Sequence, residues 1–226
     1  LEQWATRLAA LQASDSPHID TLQVSIFAAD HGIAVEGVSA FPQVVTQEMV
    51  KNFVAGGAAV NVLARQLHAT FEVVDVGLIE PVHQPGVLQH RAGAGTANFR
   101  TQPAMTAEQL AIALEAGRLA IERARTRRVD LFIGGEMGIA NTTSASALAA
   151  ALLGVPASDI TGAGTGLNAE QIRHKASIID EALQYHAETL DSPWEALRRL
   201  GGFEIAALTS AYLHAAHCGL PVMVDG

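Results

Sequence analysis

The feature that most restricts the fold is a strand–turn–helix pattern in the middle of the chain. Val129-Asp130-Leu131-Phe132-Ile133 is a short apolar run of the kind a parallel sheet buries on both faces. Gly134-Gly135-Glu136-Met137-Gly138-Ile139-Ala140-Asn141-Thr142-Thr143-Ser144 follows as a turn, and 145–153, rich in Ala and Leu, reads as a helix. The pattern recurs. Apolar runs at 24–29 and 70–77 predict two more strands, and 219–226 predicts a last strand entered from a turn. Helical spacing predicts helices over 1–13, 46–67, 106–125, 168–190 and 203–218. Strands alternating with helices require a parallel sheet covered on both sides. The expected class is therefore α/β: a three-layer parallel sheet with Rossmann-like doubly wound topology.

Local signals set the helix ends. Thr106-Ala107-Glu108-Gln109 and Ser192-Pro193-Trp194-Glu195 read as capping boxes, and Asn168 with Gln171 reads as an N-cap. Thr46 reads as the cap of the 46–67 helix. Gly56-Gly57 interrupts that helix at a cost of roughly 1 kcal/mol each relative to Ala, which close helix–sheet packing explains better than ligand contact. Residues 78–105 form a long irregular segment, and loops of that length are often functional.

Composition narrows the function. A net charge of −9 disfavours nucleic acid and anionic membranes, and no run of about 18 apolar residues offers a membrane span. One cysteine, Cys218, excludes an internal disulfide and fits a reducing, cytoplasmic compartment. The chain starts at Leu1 without a signal-peptide pattern, and its last strand lacks a covering helix, so segments beyond both ends are expected.

Ligands of open α/β sheets bind beyond the carboxyl ends of the strands. Glu136, Asn141 and Thr142 stand there, beside a helix start that offers backbone N–H groups to an anion. A carboxylate would repel an anion, so the ligand should have a second part that needs a base. Gly162, Gly164 and Gly166 form another glycine loop. The spacing is neither G-x-G-x-x-G nor a P-loop, which leaves a phosphate cradle or a plain tight turn. Lys175 in the next helix is either the cradle's charge or part of a solvated face with Arg173. His31, in Asp30-His31-Gly32, is either a site residue or a turn stabiliser. His214 and His217 share a helix face, but adjacent Cys218 points about 100° away from His217, so a structural reading is favoured over a metal site.

Five segments together resemble one family. They are 29–43 (Ala-Asp-His-Gly-Ile-Ala-Val-Glu-Gly-Val-Ser-Ala-Phe-Pro-Gln), 56–64 (Gly-Gly-Ala-Ala-Val-Asn-Val-Leu-Ala), 95–99 (Gly-Thr-Ala-Asn-Phe), 134–143 (Gly-Gly-Glu-Met-Gly-Ile-Ala-Asn-Thr-Thr) and 161–167 (Thr-Gly-Ala-Gly-Thr-Gly-Leu). In this order, across nearly the whole chain, they resemble the nicotinate-nucleotide–dimethylbenzimidazole phosphoribosyltransferases of cobalamin assembly. The resemblance implies transfer of the phosphoribosyl group of nicotinate mononucleotide to 5,6-dimethylbenzimidazole, giving α-ribazole 5′-phosphate and nicotinate. It implies a homodimer that uses no metal or cofactor. It places Ser39, Phe41 and Gln47 at the benzimidazole, Glu136 at the reacting centre, and Gly138, Asn141, Thr142, Gly164 and Lys175 at the nucleotide, with Asp225 facing the pocket. It assigns about residues 1–20 to a small helical domain and 21–226 to the substrate-binding domain.

The family's N-terminal Pro-Gly-Ser-Leu-Gly stretch has no counterpart here, nor does its C-terminal Glu-Gly-Thr-Gly-Ala segment, which carries the principal catalytic glutamate. The resemblance thus implies a shortened form. Its alternative reading is a core that binds the phosphoribosyl ligand without turnover. A generic nucleotide-binding α/β protein is a third reading, and it leaves the Ser39–Gln47 segment unexplained.

Overall fold

The computed structural model describes residues 1–224. The strands are β1 (Leu22–Ala29), β2 (Thr70–Gly77), β3 (Val87–Gln89), β4 (Leu131–Met137) and β5 (Val222–Met223), all parallel, in the order β3-β2-β1-β4-β5. The helices are α1 (Glu2–Gln12), α2 (Val44–Ala55), α3 (Ala59–Gln66), α4 (Ala107–Thr126), α5 (Asn141–Leu153), α6 (Ala169–His186), α7 (Pro193–Leu200) and α8 (Phe203–Cys218). The chain steps outward from β1 to β3, then returns to the other side of β1. This is the doubly wound arrangement, with its switch point between β1 and β4.

Alternation along the strands feeds two cores. Val24, Ile26, Ala28 and Val73 pack with Val50, Phe53 and Ala64 of α2 and α3. Phe27, Ala29, Val74 and Val76 pack on the other face with α4 and α8, and that core extends into α5, α6 and α7. Among the described residues, no helix is long and apolar enough to cross a membrane. α1 buries none of its residues.

Several local expectations hold. Thr106 Oγ1 accepts from Gln109 N at 3.1 Å while Gln109 Oε1 accepts from Thr106 N at 2.9 Å. Asn168 and Gln171 close the same reciprocal pair at the start of α6.

Others need correction. Ser192 does cap α7, but Glu195 turns forward to Arg198 and Arg199 instead of back to the cap. The 46–67 helix is two helices, broken where Gly56 takes φ +77. Thr46 lies inside α2, and its hydroxyl accepts from Ile139 N at 3.0 Å, tying α2 to the turn after β4. The irregular 78–105 segment contains edge strand β3. α6 ends at His186 rather than near residue 190.

The largest local difference is at β4. The strand continues to Met137, so Gly134, Gly135 and Glu136 belong to it, and α5 starts at Asn141 instead of Ala145. Packing explains this. A Cβ on Gly134 would stand 2.5 Å from Leu208 Cδ2 of α8, and one on Gly135 would stand 2.5 Å from Ile26 Cδ1 of β1. The glycines let neighbours close on the strand from both faces.

Candidate active site

The switch point holds a buried ionic cluster. β1 ends at Ala29 and delivers Asp30 and His31 to the sheet edge, and both side chains are buried. His31 Nε2 meets Glu204 Oε1 at 2.8 Å, and its Nδ1 meets Ser144 Oγ at 3.0 Å. The imidazole thus joins β1, the first turn of α5 and the first turn of α8. Burial pulls the His31 pKa down, but the charge and hydrogen bond of Glu204, then Asp30 and Glu136, carry it above its ordinary value. Gly138 and Gly202 permit this contact. A Cβ on Gly138 would stand 3.0 Å from His31 Nε2, and one on Gly202 would overlap His31 Cε1. His31 is therefore a buried tie between the end of β1, α5 and α8. Neither Glu204 nor its partnership with His31 carries a local sequence signal, because 173 positions separate them.

Glu136 stands beside this cluster on β4, its carboxylate taking a short hydrogen bond from Asn141 Nδ2. The residue as a whole is exposed, while its carboxylate is crowded by Asn141 and the neighbouring protein. Burial and the charge of Glu204 push its pKa up to about 7, against the lowering effects of His31 and Asn141. A carboxyl that titrates near neutrality can accept a proton from a substrate nitrogen and later release it.

Next to it lies a small cleft. Ser39, Gly138, Asn141, Thr142, Gly164 and Lys175 all line it. Lys175 is 1% exposed, so the solvated-face reading is overturned. Its Nζ donates to Thr142 Oγ1 at 2.7 Å, and no carboxylate pairs with it among the described residues. Burial alone lowers its pKa to about 8. Gly164, at φ +53, brings its backbone against both partners: a Cβ there would stand 2.9 Å from Thr142 Oγ1 and 3.5 Å from Lys175 Nζ. The cleft therefore offers the start of α5, a glycine loop and an uncompensated cation, a set suited to an anion.

The remaining predicted residues are more dispersed. Phe41 is half-exposed, and its backbone N–H donates to Ser39 Oγ at 3.3 Å, so it stands beside the cleft without lining it. Gln47 sits on α2, with Nε2 donating to Glu80 O at 3.3 Å and Oε1 accepting from Lys51, and it does not reach the cleft. Asp225 lies outside the described residues. A larger cleft at the opposite sheet edge, between α1 and the end of α8, has none of the glycine-loop features and is not the site we assign.

A sequence model of the family described as "Phosphoribosyltransferase" matches residues 1–226. The chain belongs to this phosphoribosyltransferase family. It is 56% identical over 227 residues to the nicotinate-nucleotide–dimethylbenzimidazole phosphoribosyltransferase of Ectopseudomonas mendocina, covering all of this chain and 65% of that protein. The Pseudomonas putida KT2440 enzyme of the same name is 53% identical over the same coverage. The chain thus spans 65% of the length of these curated relatives. The crystal structure of CobT from Thermus thermophilus superposes with a TM-score of 0.95 at 43% identity, over 100% of this chain and 68% of that one. The superposition and this chain's own strand order agree with the α/β, doubly wound reading.

Proposed function

We propose that this chain transfers the phosphoribosyl group of nicotinate mononucleotide to 5,6-dimethylbenzimidazole. The observation that carries the reading is Lys175, a buried ammonium facing Thr142 and Gly164 with no carboxylate partner among the described residues. A buried cation is costly unless a counter-charge arrives, and a 5′-phosphate supplies one. In this scheme the phosphate sits between the start of α5 and the 161–166 loop, which sets the ribose at the edge of β4.

The chemistry then falls to Glu136. A benzimidazole nitrogen attacks C1′ of the ribose and the bond from C1′ to the nicotinate nitrogen breaks. The pyridinium leaves neutral at nitrogen, so its departure needs no proton. The attacking benzimidazole loses its N–H proton, and Glu136 takes it. Ser39 and Phe41 offer a polar contact and an aromatic surface to the acceptor base, with Gln47 further out on α2. His31 and Glu204 brace the strand edge beneath. We place the enzyme in the cytoplasm as a homodimer acting on small molecules alone.

The test is direct. The chain is incubated with nicotinate mononucleotide and dimethylbenzimidazole, and α-ribazole phosphate is sought by mass. Product is the expected result. Retention of nicotinate mononucleotide without product would reduce the proposal to a binding core, and absence of both binding and product would overturn it.

A further inference from the structure

The far end of α8 gathers three metal-binding side chains outside the crevice. His214 Nε2 lies 2.6 Å from Glu122 Oε1 on α4 and 3.7 Å from Cys218 Sγ, one turn further along α8. The three donor atoms lie within 4.8 Å of one another, and all three residues are half-buried. The spacing that matters is His214 to Cys218, four positions apart on one helix face, and not His217 to Cys218. His217 only stacks on His214, ring centres 6.2 Å apart.

One imidazole nitrogen faces two groups and can serve only one. If Nε2 carries the proton, it donates to Glu122 and has no lone pair for the Cys218 thiol. If it is bare, the carboxylate faces a lone pair. A cation among the three donors removes the conflict. We propose that Glu122, His214 and Cys218 form a site for a borderline-soft divalent cation of the zinc type, with water as the fourth ligand.

The geometry fits with little movement. Tetrahedral zinc with ordinary Zn–N, Zn–S and Zn–O lengths separates its ligand atoms by about 3.4–3.6 Å. The His214–Cys218 distance is already near that value, and Glu122 must withdraw by less than about 1 Å, a small side-chain rotation. Arg125 approaches Glu122 at 3.3 Å, but its side chain is 52% exposed and can swing into water, while Arg118, at 3.9 Å, is held by Glu115 at 2.7 Å and makes only a distant contact with Glu122. A thiolate and a carboxylate balance the dication's charge. The nitrogen and sulfur donors select against magnesium and calcium.

The ion would staple α4 to α8 at the end away from the crevice. His214 and Cys218 stand roughly 15–21 Å along the axis of α8 from its first turn, which carries Glu204. The site neither rests on the proposed reaction nor needs turnover to be tested.

The probe is cobalt(II), added to the metal-free chain and followed by absorption. The expected result is about one cobalt ion per chain with a thiolate-to-cobalt charge-transfer band, displaced by zinc. Cys218→Ser should abolish the band, and Glu122→Gln should weaken binding by more than roughly 10-fold. His217→Ala should leave both unchanged. Zinc should also raise the melting temperature of the parent chain but not of Cys218→Ser, a near-isosteric change that keeps the fold. A missing band, or a band that survives in Cys218→Ser, overturns the site. Cobalt bound without thiolate character also overturns it, by placing the ion at the His18–Asp20–Asp130 cluster, which has no sulfur.

Discussion

Two charge clusters in this molecule are built in opposite ways. Under α4, Glu72 is 6% exposed and accepts from Ser25 Oγ at 2.8 Å, while Arg123 and Arg127 close on it at 2.8 and 3.3 Å. Gln23 completes that network by accepting from Arg127. In the crevice, Lys175 is more deeply buried, and among the described residues its ammonium bonds only to a hydroxyl. Glu136, a few residues along β4 from the turn into α5, is crowded by Glu204 and protonates near neutrality. The first cluster pairs its buried carboxylate with two guanidiniums and serves the fold. The second leaves charge uncancelled, at a cost to stability, and that residue of charge is what a ligand can use.

The comparison breaks first at Glu136. Glu136→Gln keeps the hydrogen-bonding shape and removes the base. Turnover to α-ribazole phosphate should fall by about 10²–10⁴-fold with nicotinate mononucleotide affinity unchanged. An unchanged rate would show that the proton leaves by another route. The second break is Lys175→Met. Binding of nicotinate mononucleotide, measured by calorimetry, should weaken by roughly 10–100-fold, the worth of a charge-assisted contact. The melting temperature should hold or rise, because a buried unpaired charge is gone. A large fall in melting temperature with unchanged affinity would make Lys175 a fold residue and erase the contrast.

Arg123→Met tests the other side. Removing one partner of buried Glu72 should cost about 1–2 kcal/mol of unfolding free energy, less than a fully severed buried pair because Arg127 remains and Arg123 is partly exposed. Affinity for nicotinate mononucleotide should not move. Denaturant unfolding and calorimetry read the two quantities separately.

The same contrast explains what the sequence could reveal. The parallel sheet was legible because its apolar runs and its Thr106 and Asn168 caps are local signals. The residues that line the cleft were legible because Gly138, Asn141, Thr142 and Gly164 cluster in two short segments. The extent of β4 was not, because Gly134-Gly135 looks like a turn until α8 and Ile26 press on it from opposite faces. The burial of Lys175 depends on how the 161–166 loop folds over it, which helical spacing cannot report. His31 and Glu204 meet only after the chain has wound twice through the sheet.

The smallest effect is also the one that ties charge to ligand most closely. Lys175 drops from 10.5 to about 8 in the folded chain. Between those values the unfolded state holds the proton more strongly, so unfolding takes up protons and stability rises with pH across that window. Glu136 acts in the opposite sense at lower pH. Its pKa rises from 4.5 to about 7, the folded state holds the extra proton, and its contribution to stability falls as pH climbs through that range. In a pH series of melting curves, Lys175→Met should lose the alkaline rise and Glu136→Gln the acid-side fall. A bound phosphate favours the ammonium and pulls the Lys175 pKa back up. With saturating nicotinate mononucleotide the alkaline rise should therefore flatten, and affinity should decline above about pH 8 as free Lys175 loses its charge. If affinity instead stays level to the alkaline limit of stability, the phosphate lies elsewhere, and the uncancelled charge in the crevice needs another ligand.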